Sequence, residues 1–313
     1  MAVTDVPKEV RALADKREER RAARDFAAAD ALRDRIRELG FTVVDGPEGP
    51  SFERVEVPPE PRLRPRDVES VLNEPPTADA SVHWVVEGWP EDVTRALAGF
   101  RSNAGGRDVQ YVVADVTQTD PSTYGDGVEV LRLEPETGWG AARNAGLKRS
   151  RGRLVLAVDG SVEPTGDVFG PLETALEDPG VGVCGPFGIS TEDLREFHDS
   201  DGPEVDAIEG YLMAFRRDVI RDVGLFDEKF AWYRTADIEC SFRIKDAGMR
   251  ALRVDAPVRK HEHRMYHSTP RAERDRLSKR NYYRFLERFR DRFDLLVESP
   301  AEDDPPPRAG AAG

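Results

Sequence analysis

Between residues 79 and 160, short unbroken apolar runs alternate with segments whose apolar positions recur every three or four residues. The runs are SVHWVVEG (81–88), DVQYVVADVT (108–117), VEVLRLE (128–134) and RLVLAVD (153–159). They are rich in β-branched residues and read as strands buried on both faces. PEDVTRALAGFRS (90–102) and GWGAARNAGL (138–147) read as the helices between them. This alternation predicts βαβ units and a mostly parallel sheet of the α/β class. Farther on, VGVCGPFG (181–188) reads as a strand, and GYLMAFRRDVIRDVG (210–224) as a helix.

The flanks have other patterns. Residues 8–39 are charged except for a stripe of Phe26, Ala29, Leu32 or Arg33, Ile36 and Leu39 at helical spacing, with Asp25 as a cap and Gly40 as a stop. FTVVD and SFERVEV follow as a hairpin, so residues 1–57 form a small helical module with a hairpin. Residues 58–78 are proline-rich and charged, the composition of a linker, and the main domain spans 79–297. Within 270–296, Leu277, Phe285, Phe289 and Phe293 share one face of an arginine-rich helix. Docking on the domain is the first expectation for it, and contact with a membrane surface or a partner protein is the alternative. Residues 298–313 have the composition of a disordered tail.

Composition narrows the function. The chain of 313 residues is 34% charged with a formal charge of −14, which excludes general nucleic-acid binding by the whole chain. No apolar stretch reaches membrane-spanning length and no export signal is visible, so the cytoplasm is the expected compartment. Cys184 and Cys240 lack metal-site spacing and are expected to be buried free thiols. Two acids stand out, because Asp115 and Asp159 each end a buried strand, where open α/β sheets bind their ligands. Ordinary turn or cap chemistry is the alternative for both.

GWGAARNAGL, RGRLVLAVDGSVEP, GYLMAFRRDVI, VGLFDEKF, ADIECSFRIKDAG and VRKHEH, taken in this order over residues 80–265, resemble family 2 glycosyltransferases. The resemblance implies the GT-A fold, a Rossmann-like mixed sheet flanked by helices. It also implies a nucleotide-sugar donor, transfer with inversion to an acceptor hydroxyl, and a setting in cell-envelope polysaccharide, in the cytoplasm or peripheral to the inner membrane face. On this pattern Asp115 contacts the base or ribose, and Asp159 the ribose or a metal-bound diphosphate. Asp237 aligns with the second acid of the family's Glu-Asp pair and is the expected general base. Ala236 stands where that Glu is usual.

Arg143 and Asn144 lie near a helix start that could offer donors to phosphate. Gly210, Glu239 and Arg243 are placed on the acceptor side. An ion pair along one helix is the plainer reading of Glu239 and Arg243. His261 is expected to reach the diphosphate or the metal, and surface placement at a strand end is its alternative. The family's Asp-x-Asp reads Asp159-Gly160-Ser161, so a hydroxyl replaces one metal-binding carboxylate. A divalent cation, magnesium or manganese, is therefore expected only together with nucleotide, whose phosphates complete the ligand set.

The strand VHWVVEGWPED lacks the Pro-x-Tyr-Asn start frequent in the family. With Ser161 and Ala236 both replacing acids, a nucleotide-sugar-binding protein of weakened activity is the chief alternative. Nucleotide-sugar hydrolysis or nucleotidyl transfer is another. The segment RRAARDFAAADALRDRIRELGFTVVDGPEGPSF resembles the C-terminal part of bacterial cysteinyl-tRNA synthetases, which implies at most an RNA- or protein-contacting adaptor.

Overall fold

The computed structural model describes residues 6–46, 49–54, 62–117 and 119–298. Most of the expected tail, residues 55–57 of the expected module and residues 58–61 of the expected linker lie outside them. The chain divides into two compact units, Met1–Pro61 and Arg62–Gly313.

In the first unit, α1 (Lys8–Ala22) and α2 (Phe26–Glu38) precede a hairpin of β1 (Phe41–Gly46) and β2 (Gly49–Arg54). Asp25 caps α2 by accepting from the Ala28 N–H at 3.2 Å, and Gly40 leaves it with φ of +81°. Two helices thus stand where one amphipathic stripe is read. Ala29 and Ile36 are buried, in a core built with Val10, Ala14, Phe41 and Val43, whereas Phe26 is 62% exposed.

The second unit opens with β3 (Ala78–Val86), α3 (Pro90–Ser102), β4 (Val109–Asp115), β5 (Val128–Arg132), α4 (Trp139–Lys148) and β6 (Gly152–Val158). Then come β7 (Val162–Pro164), α5 (Phe169–Leu176), β8 (Val181–Gly185) and the two- or three-residue strands β9 (Gly188–Ser190), β10 (His198–Asp199), β11 (Glu204–Val205) and β12 (Ala207–Ile208). The unit closes with β13 (Leu212–Arg216), α6 (Arg217–Val223), α7 (Ala236–Asp246), β14 (Arg250–Arg253), β15 (Val258–Lys260), α8 (Arg264–Ser268) and α9 (Arg271–Phe289).

An eight-stranded sheet runs in the order β11-β14-β8-β13-β6-β3-β4-β5. β6, β3, β4 and β5 are mutually parallel, and β13 is antiparallel to both of its neighbours. The class read from the alternation is therefore present as a mixed sheet. One element differs, because the segment 210–224 is strand β13 followed by the short helix α6 rather than one helix. Leu212, Met213, Ala214 and Phe215 are all buried between β6 and β8, and a continuous apolar run of this length cannot tell strand from helix by period alone.

Residues 62–78 pack with the second unit. Leu63 bridges to Leu133, the Lys148 ammonium donates to the Pro65 carbonyl at 3.0 Å, and the Arg217 guanidinium donates to the carbonyls of Val71 and Glu74. The apolar face of α9 is docked as well, with Phe285 and Phe289 buried against Phe242 and Leu194. Among the described residues no helix is long and apolar enough to cross a membrane.

Gly152 shows how tightly the sheet centre is built. A Cβ placed there would lie 2.2 Å from the Ala80 carbonyl carbon and 2.4 Å from the Ser81 nitrogen, both of them backbone. Gly152→Ala should therefore cost about 3 kcal/mol of stability, read from urea unfolding of the purified chain. An unchanged midpoint would show that β3 and β6 can separate without cost.

Candidate active site

At the carboxyl end of β6 lies a cavity of about 620 Å³, lined by Trp139, Asp159, Gly210, Tyr233, Asp237 and His263 among others. A recess of about 60 Å³ shares Asp159, Trp139, Tyr233 and His263 with it and adds Glu87, Arg143 and Ser161.

Asp159 follows the last residue of β6, and each of its carboxylate oxygens has a partner while the residue lines the cavity. Oδ1 accepts from the Ser161 N–H at 2.8 Å and hydroxyl at 2.5 Å, and Oδ2 faces His263 Nε2 at 3.3 Å. His263 caps α8, its Nδ1 accepting from the Tyr266 N–H at 3.2 Å, so the imidazole proton sits on Nε2 and points at Asp159. Burial works against ionisation of Asp159, but His263 and Ser161 outweigh it and hold the carboxyl down at about 2. The turn reading is half right, because Asp159 organises an Asp-Gly-Ser turn while its other oxygen faces the cavity.

Asp237 stands in the first turn of α7. Its Oδ2 accepts from the Gly210 N–H at 2.7 Å and its Oδ1 from the Ile238 N–H at 2.9 Å. Burial pushes its carboxyl up, against those two donors. The next residue of the Gly210–Tyr211 pair turns to the other acid, since the Asp159 N–H donates to the Tyr211 carbonyl at 3.0 Å. One dipeptide therefore connects the Asp237 carboxylate to the main chain of Asp159.

Arg143 and Asn144 have different surroundings. Arg143 is 3% exposed, and its terminal nitrogens donate to the carbonyls of His83 at 2.8 Å and Val158 at 3.1 Å. Its Nε has no hydrogen-bond partner among the described residues, and the guanidinium lies 5.3 Å from the centre of the Trp139 ring. Burial lowers its pKa to about 10, against the pull of Asp159 and Glu87. The guanidinium thus brings a positive charge to the recess from beneath. Asn144 turns away from the cavity and clamps the loop before α7. Its Nδ2 donates to the Phe226 carbonyl at 2.8 Å, and its Oδ1 accepts from the Phe226 N–H at 2.9 Å. The first N–H groups of α4 are spent on the same loop, Trp139 donating to the Ala231 carbonyl at 3.2 Å and Gly140 to that of Phe230 at 2.9 Å. They are not free for phosphate.

Three other expected site residues are placed elsewhere. Asp115 is 1% exposed and lines neither cavity nor recess, its oxygens taken by the Tyr124 hydroxyl at 2.7 Å and by Thr117 at 2.6 Å. Glu239 and Arg243 pair with each other at 2.9 Å on the far side of α7, where Arg243 also donates to the Leu225 carbonyl. This is the plainer ion-pair reading, and neither residue lines the cavity. His261 does line it, but its Nε2 is held by Glu163 at 2.6 Å. The imidazole that meets Asp159 is His263, two residues on.

Two residues escaped sequence reasoning. Glu87 follows β3 directly, the same strand-end signal that marks Asp159, and burial pushes its carboxyl up to about 7 in the recess, with Arg143 opposing. Glu209 precedes Gly210 and is pushed by burial to about 7, with Lys260 opposing. Nothing in the local pattern marks Glu209, because the cavity wall that it joins is assembled from distant segments.

Residues 109–242 match the family model of Glycosyl transferase family 2. A crystal structure of GalNAc-T7 with UDP, GalNAc and Mn2+ is similar in fold, with a TM-score of 0.52 at 16% identity over 67% of this chain and 48% of that one. A mannosyltransferase from Pyrobaculum calidifontis gives a TM-score of 0.46 at 20% identity, covering 59% and 56% of the two chains. A separate likeness lies in the N-terminal segment, 52% identical over 46 residues to the cysteine–tRNA ligase of Cronobacter sakazakii, which is 15% of this chain and 10% of that protein. The chain thus spans about a tenth of the length of the curated relatives it matches. The second unit, with its mixed sheet and strand-end crevice, has the GT-A fold, and residues 109–242 of it are similar to glycosyl transferase family 2.

Proposed function

We propose that this domain transfers a sugar from a nucleotide-sugar donor to an acceptor hydroxyl with inversion, Asp237 serving as the general base. The observation that carries the reading is the presence of Asp159 and Asp237 in one cavity, joined through Gly210–Tyr211. Their environments separate them, one carboxyl held low and the other pushed up, as acid–base work requires. The acceptor oxygen attacks the anomeric carbon as its bond to the diphosphate breaks. The hydroxyl proton passes to an Asp237 oxygen, and the nucleoside diphosphate leaves. Arg143 supplies positive charge toward the departing diphosphate, and Trp139 and Tyr233 wall the site from water.

The family implies a divalent cation, and a UDP- and Mn2+-bound relative of the same fold makes that class the first to test. Asp159 suits it as a carboxylate on the cavity wall, whereas His263, with its Nδ1 taken by the Tyr266 N–H and its Nε2 proton facing Asp159, has no free lone pair and holds that carboxylate in place. Among the described residues no group of three His, Cys, Asp or Glu side chains could hold a metal, so phosphate oxygens must complete the ligand set. When bound, such a cation would offset the charge that develops on the diphosphate. Glu87, its carboxyl pushed up to about 7, keeps its proton in a share of molecules near neutral pH and then has a hydroxyl to donate to the nucleotide in the recess.

Replacing Asp237 by Asn should lower kcat for transfer at least ~100-fold and leave the donor Kd within about threefold, because the base acts in the chemical step. Wild-type turnover in that variant would remove the assignment, and a wild-type protein that binds nucleotide sugars without transferring them would favour the binding-only reading. A second expectation concerns pH. Folded Glu87 keeps its proton to about 7, whereas the unfolded chain releases it near ~4.3. Stability from this group is therefore lost as pH rises between these values. Glu87→Gln should shrink the fall in unfolding free energy between pH 5 and pH 8 by on the order of 2 kcal/mol. An identical pH dependence in urea titrations of both proteins would contradict it.

A further inference from the structure

Glu209 and Lys260 form a feature of the cavity that the proposed transfer leaves unused. Both line it, with Lys260 Nζ 3.9 Å from Glu209 Oε2 and 3.4 Å from the centre of the Tyr211 ring. The ring of Phe187 packs edge-on against Tyr211 at 5.5 Å and also lies under Lys260, at 5.0 Å. The Glu209 backbone is tied to the same place, its N–H donating to the Phe187 carbonyl at 2.8 Å. The ammonium is thus committed to two rings and one carboxylate. Glu209 sits one residue before Gly210, whose N–H holds Asp237. Any group bound on Glu209 is therefore a close neighbour of the hydroxyl that Asp237 deprotonates.

The surrounding wall decides what that group is. Asp199 joins Glu209 and Asp237 in lining this end, so three carboxylates face the space against the guanidinium of Arg234 and the Lys260 ammonium, which is already occupied, and acids remain in excess. An acceptor carrying its own phosphate or carboxylate would meet like charge there. Phe197 and Ile238 line the same end with apolar surface. Carboxylates that accept hydroxyl hydrogen bonds, set beside apolar and aromatic faces, suit a pyranose ring, which offers several hydroxyls at its rim and C–H groups on its face.

We propose that Glu209 and Lys260 are the acceptor-recognition pair of this site and that the acceptor end takes an uncharged pyranoside, one of whose hydroxyls bonds Glu209 beside the hydroxyl presented to Asp237. The inference rests on the sugar-transfer reading and names the acceptor class for it. Glu209 orients the acceptor, and Lys260 fixes Glu209.

Titration of the full chain with methyl α-glucopyranoside, methyl α-galactopyranoside, methyl α-mannopyranoside and glucose 6-phosphate, followed by NMR, tests it. Each ligand is added in the presence of Mn2+ and UDP, or of GDP where UDP does not bind. At least one methyl pyranoside should bind, and more tightly than glucose 6-phosphate. Glu209→Ala and Lys260→Met should weaken that binding at least about tenfold. Glu209→Gln, which keeps the hydrogen bond, should stay within about threefold of wild type. Nucleotide affinity should be unchanged in all three variants and each should still unfold in one cooperative transition, which separates recognition from folding. No pyranoside binding in any arm, tighter binding of glucose 6-phosphate, or an unaffected Glu209→Ala protein would overturn the inference. Failure of the wild type to bind either nucleotide would instead overturn the sugar-transfer reading, because the pyranoside arms are read separately.

Discussion

The dipeptide Gly210–Tyr211 sets the geometry on which the site depends. Its two ends bond opposite acids, the Gly210 N–H to Asp237 at 2.7 Å and the Tyr211 carbonyl to the Asp159 N–H at 3.0 Å. Because β13 starts at the next residue and pairs with β6 along its length, the dipeptide cannot shift without breaking the register Leu212 with Val158. A Cβ at Gly210 would lie 3.3 Å from Asp237 Oδ2 and 3.4 Å from its Cβ, so the close approach of chain to carboxylate leaves little room for a larger residue. Spacing between the two acids is therefore a property of the sheet rather than of a flexible loop, as a preorganised site requires.

A second constraint delivers Asp237 to that dipeptide. The loop that leads into α7 is held by α4, through both faces of the Asn144 amide and the first N–H groups of the helix. A Cβ on Gly140 would lie 2.9 Å from the Asp227 carbonyl oxygen, so the motif Gly-Trp-Gly-Ala-Ala-Arg-Asn serves close packing as much as chemistry. Only Arg143 and Trp139 from this helix line the recess. On the other side of α7, Glu239 and Arg243 lock the helix to the chain at Val223–Leu225, with Arg288 of α9 reaching Glu239 at 3.5 Å. Residues expected at the acceptor thus hold the scaffold.

Much of this arrangement is readable in the sequence, and the exceptions have physical causes. Strand-and-helix alternation gives the parallel half of the sheet, and strand-end position picks out Asp159. The same strand-end rule fails at Asp115, because Thr117, two residues on, closes a turn on its Oδ1, the turn alternative, and the Tyr124 hydroxyl takes its Oδ2. Asp237 is identifiable by its motif, whereas Glu209 is not, since only folding brings it beside Lys260. Of two histidines two residues apart, the choice of partner for Asp159 depends on where β15 ends and α8 begins, and boundaries are the least readable feature of a chain. β13 was hidden by its uniform apolar character, which a buried helix would share.

The central claim is that Asp159 is a ligand-binding acid and not only the organiser of a turn. Calorimetric titration of Mn2+ into the full chain, with and without UDP or GDP, tests it most directly, with the Asp159→Ala protein run alongside. Weak Mn2+ binding to the protein alone is expected, with binding at least about tenfold tighter once the nucleoside diphosphate is present and loss of that enhancement in Asp159→Ala, because a lone carboxylate needs phosphate oxygens to complete the ligand set. Tight Mn2+ binding without nucleotide, or an enhancement that survives in Asp159→Ala, would contradict it.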